Sequence, residues 1–372
     1  ERGVNLSGGM LQGGPQSYMW FGSYLGMALV VGYLGRRFYL AVFRKAFFIP
    51  GGGRAETLPR EVWAARLLIL LGVALTILLI WVGLHWLLAS LFVMISGMMF
   101  LMIARVHVAT GLFMIQPSWW PVSILLALFG SYAIGPEAAA ILALLSTAVA
   151  FDTRIAAVPL VANVLKVGDD SKAKPAPMAG WMGVAIVISL VVALCFTVWL
   201  MYDRGVQGTW SGGTKWATQV ANMPFKNVIE PVHNELAGMG ELEEAREPTS
   251  VARLFGQAQP ERYFFTAAGI GVALVLGCSY LRLRFPRWPL HPLVFLVWGT
   301  TWTVAYAPSF LLGWFIKGVI MKYGGQSFYH RARPFFVGLV AGEFLAAIFW
   351  AVYAVGYYLT TGTTGESFLV RP

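Results

Sequence analysis

Two carboxylates stand where carboxylates are costly. Glu343 lies in Val340-Ala341-Gly342-Glu343-Phe344, inside an apolar run that continues to Leu359. It is about eight residues from the near end of that run, roughly 12 Å deep at 1.5 Å per residue. An ionised group at that depth needs a partner or water. It suits a substrate, ion or proton role, or a structural hydrogen bond to a neighbouring helix. Glu137 follows Gly135-Pro136 at the tip of a broken apolar region. It would open a half-helix, where the dipole favours an anion. That position suits a cation site, a proton site or a gate, and equally a capping carboxylate at the surface. Arg105 and Asp152 end neighbouring stretches on the same expected side. They could pair and pin the hairpin between them, or simply flank a membrane. Lys317 could snorkel to an interface.

Other chemistry has little footing. The histidines (His85, His107, His233, His291 and His330) lie near the ends of apolar runs or in polar segments, with no i, i+4 pair. No CxxC, HExxH, EF-hand or Walker pattern occurs, so no metal, no cofactor and no enzymatic activity are expected. Cys195 and Cys278 sit inside apolar runs and read as buried thiols behaving as small hydrophobes.

The elements that must position these residues are membrane helices. Of 372 residues, 58% are hydrophobic and only 12% charged, against about 25% charged in soluble chains. Mean hydropathy is +0.68. An ordinary soluble enzyme, a disordered chain and a nucleic-acid-binding domain are excluded. The net charge of +10 does not point to nucleic acid, because most basic residues fall in short loops between apolar runs.

A span needs about 20 apolar residues. Runs of that kind cover Ser17–Gly35, Leu67–Leu84, Trp86–Ala104, Gly180–Tyr202, Tyr263–Leu281, Pro289–Ala307 and Phe335–Leu359, with a shorter one at Ser309–Met321. Gly51-Gly52-Gly53 reads as a flexible turn within a basic segment. Between Thr110 and Phe151 lie two short stretches separated by Gly135-Pro136. They are two tilted helices or a re-entrant hairpin, since broken backbone at membrane depth survives only inside protein or beside water. A second break is expected at Ala307-Pro308. The expected fold is an all-α polytopic transmembrane bundle of eight to ten spans with broken or re-entrant segments. Residues 1–202 and 263–372 carry the spans. Residues 203–262 form an external loop with room for amphipathic helices lying on the membrane.

With the N-terminus outside, 18 of the 27 Lys and Arg fall in five cytoplasmic loops. Both termini are then external. Trp119, Trp120, Trp288, Trp302 and Trp314 read as interfacial or packing residues. Gly180–Gly183 and Gly269-Ile270-Gly271 read as small-residue packing seams.

One set of residues resembles a known group. It comprises Arg287-Trp288-Pro289-Leu290-His291-Pro292-Leu293, then Trp314, Ile316, Lys317 and Tyr323-Gly324-Gly325. It continues with Tyr329-His330-Arg331-Ala332-Arg333-Pro334-Phe335, Gly338, Gly342-Glu343-Phe344 and Trp350. Together with Ala104-Arg105-Val106-His107, Phe151-Asp152 and Pro159–Lys166, these look like uncharacterised bacterial membrane proteins similar to the oligopeptide transporter (OPT) superfamily. The resemblance covers most of the chain and is weak in residues 203–262. It implies longer full-length members, of which this chain resembles the C-terminal half. It departs at Val106-His107-Val108-Ala109-Thr110, where the group is expected to be more acidic.

What the resemblance implies is a secondary transporter, or half of one, for a peptide-like or metal-chelate solute in a bacterial inner membrane. Glu343 and Glu137 would be its proton or cation carriers. The alternative is a non-catalytic accessory subunit of a larger, energy-transducing membrane complex. Expected partners are membrane lipids, with other membrane subunits or a homo-oligomer left open, and no nucleic acid.

Overall fold

The computed structural model describes residues 13–48, 59–111, 115–151, 156–170, 175–208 and 213–361. Asp152 and the Gly51-Gly52-Gly53 turn lie outside them. The described residues form helices and no strands, so the chain is all-α. Packing divides it into two units, Glu1–Thr303 and Val304–Pro372.

The first unit opens with α1 (Pro15–Leu34) and α2 (Arg36–Ala46), then α3 (Pro59–Trp81) and α4 (Trp86–Thr110). Three short helices follow: α5 (Pro121–Phe129), α6 (Ser131–Ile134) and α7 (Pro136–Ala150). Next come α8 (Ala157–Asp170), α9 (Pro175–Gly208) and α10 (Gly213–Pro224), with a π-helical turn at Phe225–Ile229. The unit continues with α11 (Glu230–Met239), α12 (Leu242–Ala245), α13 (Val251–Gly256), α14 (Phe264–Arg284) and α15 (Val294–Val297).

Among the described residues, five helical stretches are long and apolar enough to cross a membrane: Pro59–Trp81, Trp86–Thr110, Pro177–Trp199, Phe264–Arg284 and Thr303–Ala354. A sixth forms if α1 and α2, bent by 79° at Gly35, make one span. The protein is a multi-pass helical membrane protein. Among the described residues these are fewer separate stretches than the eight to ten spans expected from the sequence. One reason is that the helices between Thr110 and Phe151 are short. Another is that the expected spans Ser309–Met321 and Phe335–Leu359 merge into the single stretch Thr303–Ala354.

The core of the first unit is built on α1 against α14. Glycine lets their backbones touch. A Cβ on Gly22 would lie 2.0 Å from the Ala268 carbonyl, and one on Gly271 would lie 2.1 Å from the Met19 carbonyl. The Gly271 seam is therefore real, whereas Gly180 and Gly183 meet nothing within 4 Å. Tyr18 donates its hydroxyl to the Glu261 carboxylate just before α14. Trp20 Nε1 donates to the Trp298 carbonyl at 2.9 Å. Trp119 and Trp120 are fully buried. Phe21 and Tyr24 meet the Trp119 ring edge-on. None of the apolar window of α9 is buried within the chain. Cys195 on it is exposed, against expectation, while Cys278 is buried as expected.

The second unit continues α16 (Thr301–Val319) through a π turn at Ile320–Gly324 into α17 (Gly325–Thr361). Pro308 lies inside α16, so the expected break there is absent. A proline removes one helical hydrogen bond, and a membrane helix can absorb that loss. Non-helical backbone comes instead at Gly325, with φ 67° and ψ −173°. Glu343 sits in mid-α17 and is exposed.

Candidate functional site

The tip of the α5–α6–α7 hairpin is set by two glycines. Gly130 has φ 85° and ψ 162° and Gly135 has φ 83° and ψ 158°, a region open essentially to glycine alone. Each stops one helix and starts the next. Pro121 and Pro136 then take the first positions of α5 and α7, where a missing N–H costs nothing. The Gly135-Pro136 break appears where the sequence put it. The Gly130 break, five residues earlier, was not read from the sequence.

Breaking a helix orphans its carbonyls. Here four of them find donors in the longest polar segment of the sequence. Ala127 O accepts from the Glu261 N–H at 2.8 Å, and Phe129 O from the Gln259 N–H at 3.0 Å. Tyr132 O accepts from Arg253 Nη2 at 2.6 Å. Ile134 O accepts from Thr249 Oγ1 at 2.9 Å. Side chains repeat the pattern. Ser131 Oγ donates to Glu235 Oε2 at 3.0 Å, and the Tyr132 hydroxyl donates to Glu244 Oε2 at 3.1 Å. At the other end of the hairpin the Val122 N–H donates to Ser146 Oγ at 3.0 Å, tying α5 to α7.

This alters what residues 203–262 do. Helices run through the described part of that segment, and Val228, Val232, Leu236, Ala245 and Leu254 on them are buried in the same core as the hairpin. Their apolar sides pack on protein. Arg253 is the fastener. Besides Tyr132 O, it reaches Ala245 O at 2.9 Å through Nη2 and Glu247 O at 2.7 Å through Nη1. Its guanidinium carbon lies 5.1 Å from the centre of the Tyr132 ring.

Beside this fastening is a cavity of about 350 Å³. Its walls come from three places: the α3–α4 turn (Gly83, His85), the hairpin tip (Gly135, Glu137) and the fastened segment (Arg246, Glu247). Glu137 is exposed, in the first turn of α7, with Gly135 rather than a side chain at the cap. His85 caps α4, its Nδ1 accepting the Leu87 N–H at 3.3 Å. Burial holds its imidazole below the usual histidine range. Two carboxylates, an imidazole and a guanidinium around one small cavity make a polar lining that can hold a small charged group.

Of the residues the sequence singled out, Glu137 lines this cavity. Glu343 belongs to the second unit and Asp152 lies outside the described residues. Arg105 is exposed on α4. No group of three or more His, Cys, Asp or Glu able to hold a metal occurs among the described residues. His85, Glu247 and Arg253 were not singled out. Arg253 could have been noticed as a cation three residues after Ser250, whose Oγ accepts the Arg253 N–H at 3.2 Å and so starts α13.

The chain belongs to a family described as "Family of unknown function (DUF6785)", which matches residues 3–363. No curated protein and no solved structure matches it.

Proposed function

We propose that this member of the family is a secondary transporter, or the half of one that carries a broken hairpin, with Glu137 as a proton- or cation-exchanging group at the hairpin tip. The observation that carries the proposal is the hairpin itself. Its two glycine breaks put helix ends beside a cavity that holds Glu137, Glu247 and His85. Broken helices of this kind supply ion and substrate sites in transporters, because half-helix ends aim backbone dipoles at the site. The resemblance to oligopeptide transporters supports a peptide-like or metal-chelate solute. The resemblance also supports a bacterial cytoplasmic membrane, and the Lys and Arg count with every apolar run crossing supports both termini external. Glu343, in mid-α17, is a second candidate carrier.

The experiment is solute uptake by the full chain in proteoliposomes with an imposed pH gradient. A panel of small peptides and ferric chelates serves as substrate, with internal pH read by a dye. Uptake with proton entry is expected. Glu137→Gln is expected to abolish the proton movement while leaving the protein folded. No uptake of any panel member by well-folded wild-type protein would sink the proposal.

An accessory subunit is the second reading. The observation that favours it is the apolar window of α9, none of which the chain itself covers. Gentle extraction and mass determination separate the two: stable co-purifying subunits favour the accessory role, and a particle of this chain alone counts against it.

A further inference from the structure

The helix α2 is unlike its neighbours. It leaves the end of α1 at 79° and runs across that helix's direction. Its 11 residues include Arg36, Arg37, Arg44 and Lys45 and no acid. Val42 and Ala46, one turn apart, are buried. Tyr39, Phe43 and Phe47, also one turn apart from each other, are exposed, as are Phe38, Leu40 and Phe48. Arg37 and Arg44 are two turns apart and so share a side of the helix.

Both ends of α2 are tied to its neighbours, the charge-free α1 and the membrane-length α3. At its start, Arg36 Nη1 donates to the Tyr33 carbonyl at 3.0 Å and its guanidinium lies 4.1 Å from the Tyr33 ring centre, closing α1. At its end, Arg66 near the start of α3 donates to the Ala46 carbonyl at 3.1 Å and the Lys45 carbonyl at 3.2 Å. The same guanidinium covers the Phe48 ring at 4.1 Å. α2 is therefore held between the end of α1 and the first turns of α3.

Local helix energetics do not explain its charge. The helix dipole favours Arg44 and Lys45 in the last turn but disfavours Arg37 in the first. Arg36 has the α1 carbonyl to serve, and Arg37 does not share that role. Exposed aromatic residues beside a cationic side, on a helix lying across the end of α1, fit the boundary between acyl chains and headgroups.

We propose that α2 is an interfacial helix that binds the anionic lipid surface, its aromatic side entering the headgroup boundary and Arg37 and Arg44 engaging lipid phosphates. The membrane is the occupant because the helix runs on from the charge-free, 20-residue α1 and its charge complements anionic headgroups.

The test uses the purified full chain and native mass spectrometry, with phosphatidylglycerol and phosphatidylcholine titrated separately. Wild type is expected to retain phosphatidylglycerol selectively, and the selectivity is expected to fall as salt rises. Arg37→Gln with Arg44→Gln is expected to lower the retention constant roughly thirty-fold, at about 1 kcal/mol per charge near a lipid surface. Arg37→Lys with Arg44→Lys keeps the charge and is expected to restore most of it. That variant also guards against misreading a folding defect, because it removes the same guanidinium groups. Equal retention of the two lipids by wild type overturns the proposal. So does undiminished phosphatidylglycerol retention by the glutamine pair, or a co-purifying protein that shields residues 38–48 from labelling.

Discussion

Arg253 Nη2 donates to the Tyr132 carbonyl at 2.6 Å across 121 residues of sequence. The bond joins a polar segment to the tip of an apolar hairpin, and it makes sense of both. Short helices at membrane depth leave carbonyls that lipid cannot satisfy. The polar segment supplies the donors.

Removing Arg253 should release that segment first. Arg253→Met leaves the carbonyls of Tyr132, Ala245 and Glu247 without the guanidinium. A buried acceptor left unsatisfied costs about 1–3 kcal/mol. Amide exchange in residues 241–262 is expected to rise at least roughly tenfold at about 1.4 kcal/mol. α1 and α14, which do not depend on the bond, should keep their protection. Uniformly faster exchange throughout the first unit would show that Arg253 holds more than that segment.

Gly135 is the second point of failure. A Cβ there would sit 2.6 Å from the Ala245 carbonyl, on backbone with φ +83°. Gly135→Ala therefore meets both a glycine-only conformation, at about 1–3 kcal/mol, and a backbone clash. A lower melting temperature in detergent and a changed environment around Glu137 are expected. Gly238→Ala, which meets nothing within 4 Å, is the control in a helical position and should not share the loss.

The packing of α1 on α14 gives a paired test. A Cβ on Gly271 would meet Met19 O at 2.1 Å, but one on Gly269 would meet nothing within 4 Å. Gly271→Ala should destabilise by about 1–3 kcal/mol through overpacking. Gly269→Ala, two residues away on the opposite side, should be neutral or slightly stabilising because alanine is the better helix former. Thermal melts of the two variants in the same detergent check this. Equal losses would mean that helix propensity, rather than close backbone approach, governs the seam.

How much of this was legible in the sequence follows from the range of each interaction. The helical membrane class was legible because hydropathy is local. So was the Gly135-Pro136 break, where glycine and proline act on their own backbone. Gly130 was hidden because glycine also occurs in uninterrupted apolar helices, as Gly72 and Gly97 do here. Pro308 misled for the converse reason: a proline permits a break without compelling one. The fastened segment was hidden more deeply. Nothing near Arg253 announces Tyr132, and a polar segment with scattered Val, Ile and Leu looks the same whether its apolar side meets lipid or protein. Of the site, one wall was legible at Glu137, while His85 and Glu247 are brought to it by tertiary packing.

His85 makes the cavity sensitive to acid. Its Nδ1 accepts the Leu87 N–H and caps α4, which requires the imidazole to be unprotonated on that nitrogen. Burial lowers its folded-state pKa from the ordinary 6.5. The folded state thus favours the neutral form more than the unfolded chain does. A depressed pKa on a base gives a stability contribution present above pH 6.5 and lost as pH falls through the lower folded value. Wild type should therefore lose stability on acidification below the normal histidine range, by no more than about 1 kcal/mol, the usual worth of a helix cap. His85→Asn keeps a capping acceptor without a titrating proton and should lose this part of the acid sensitivity. Melting temperatures measured at pH 7.5 and pH 5 for both proteins give the answer. If the difference between the two pH values is the same in each, His85 is not the group that titrates.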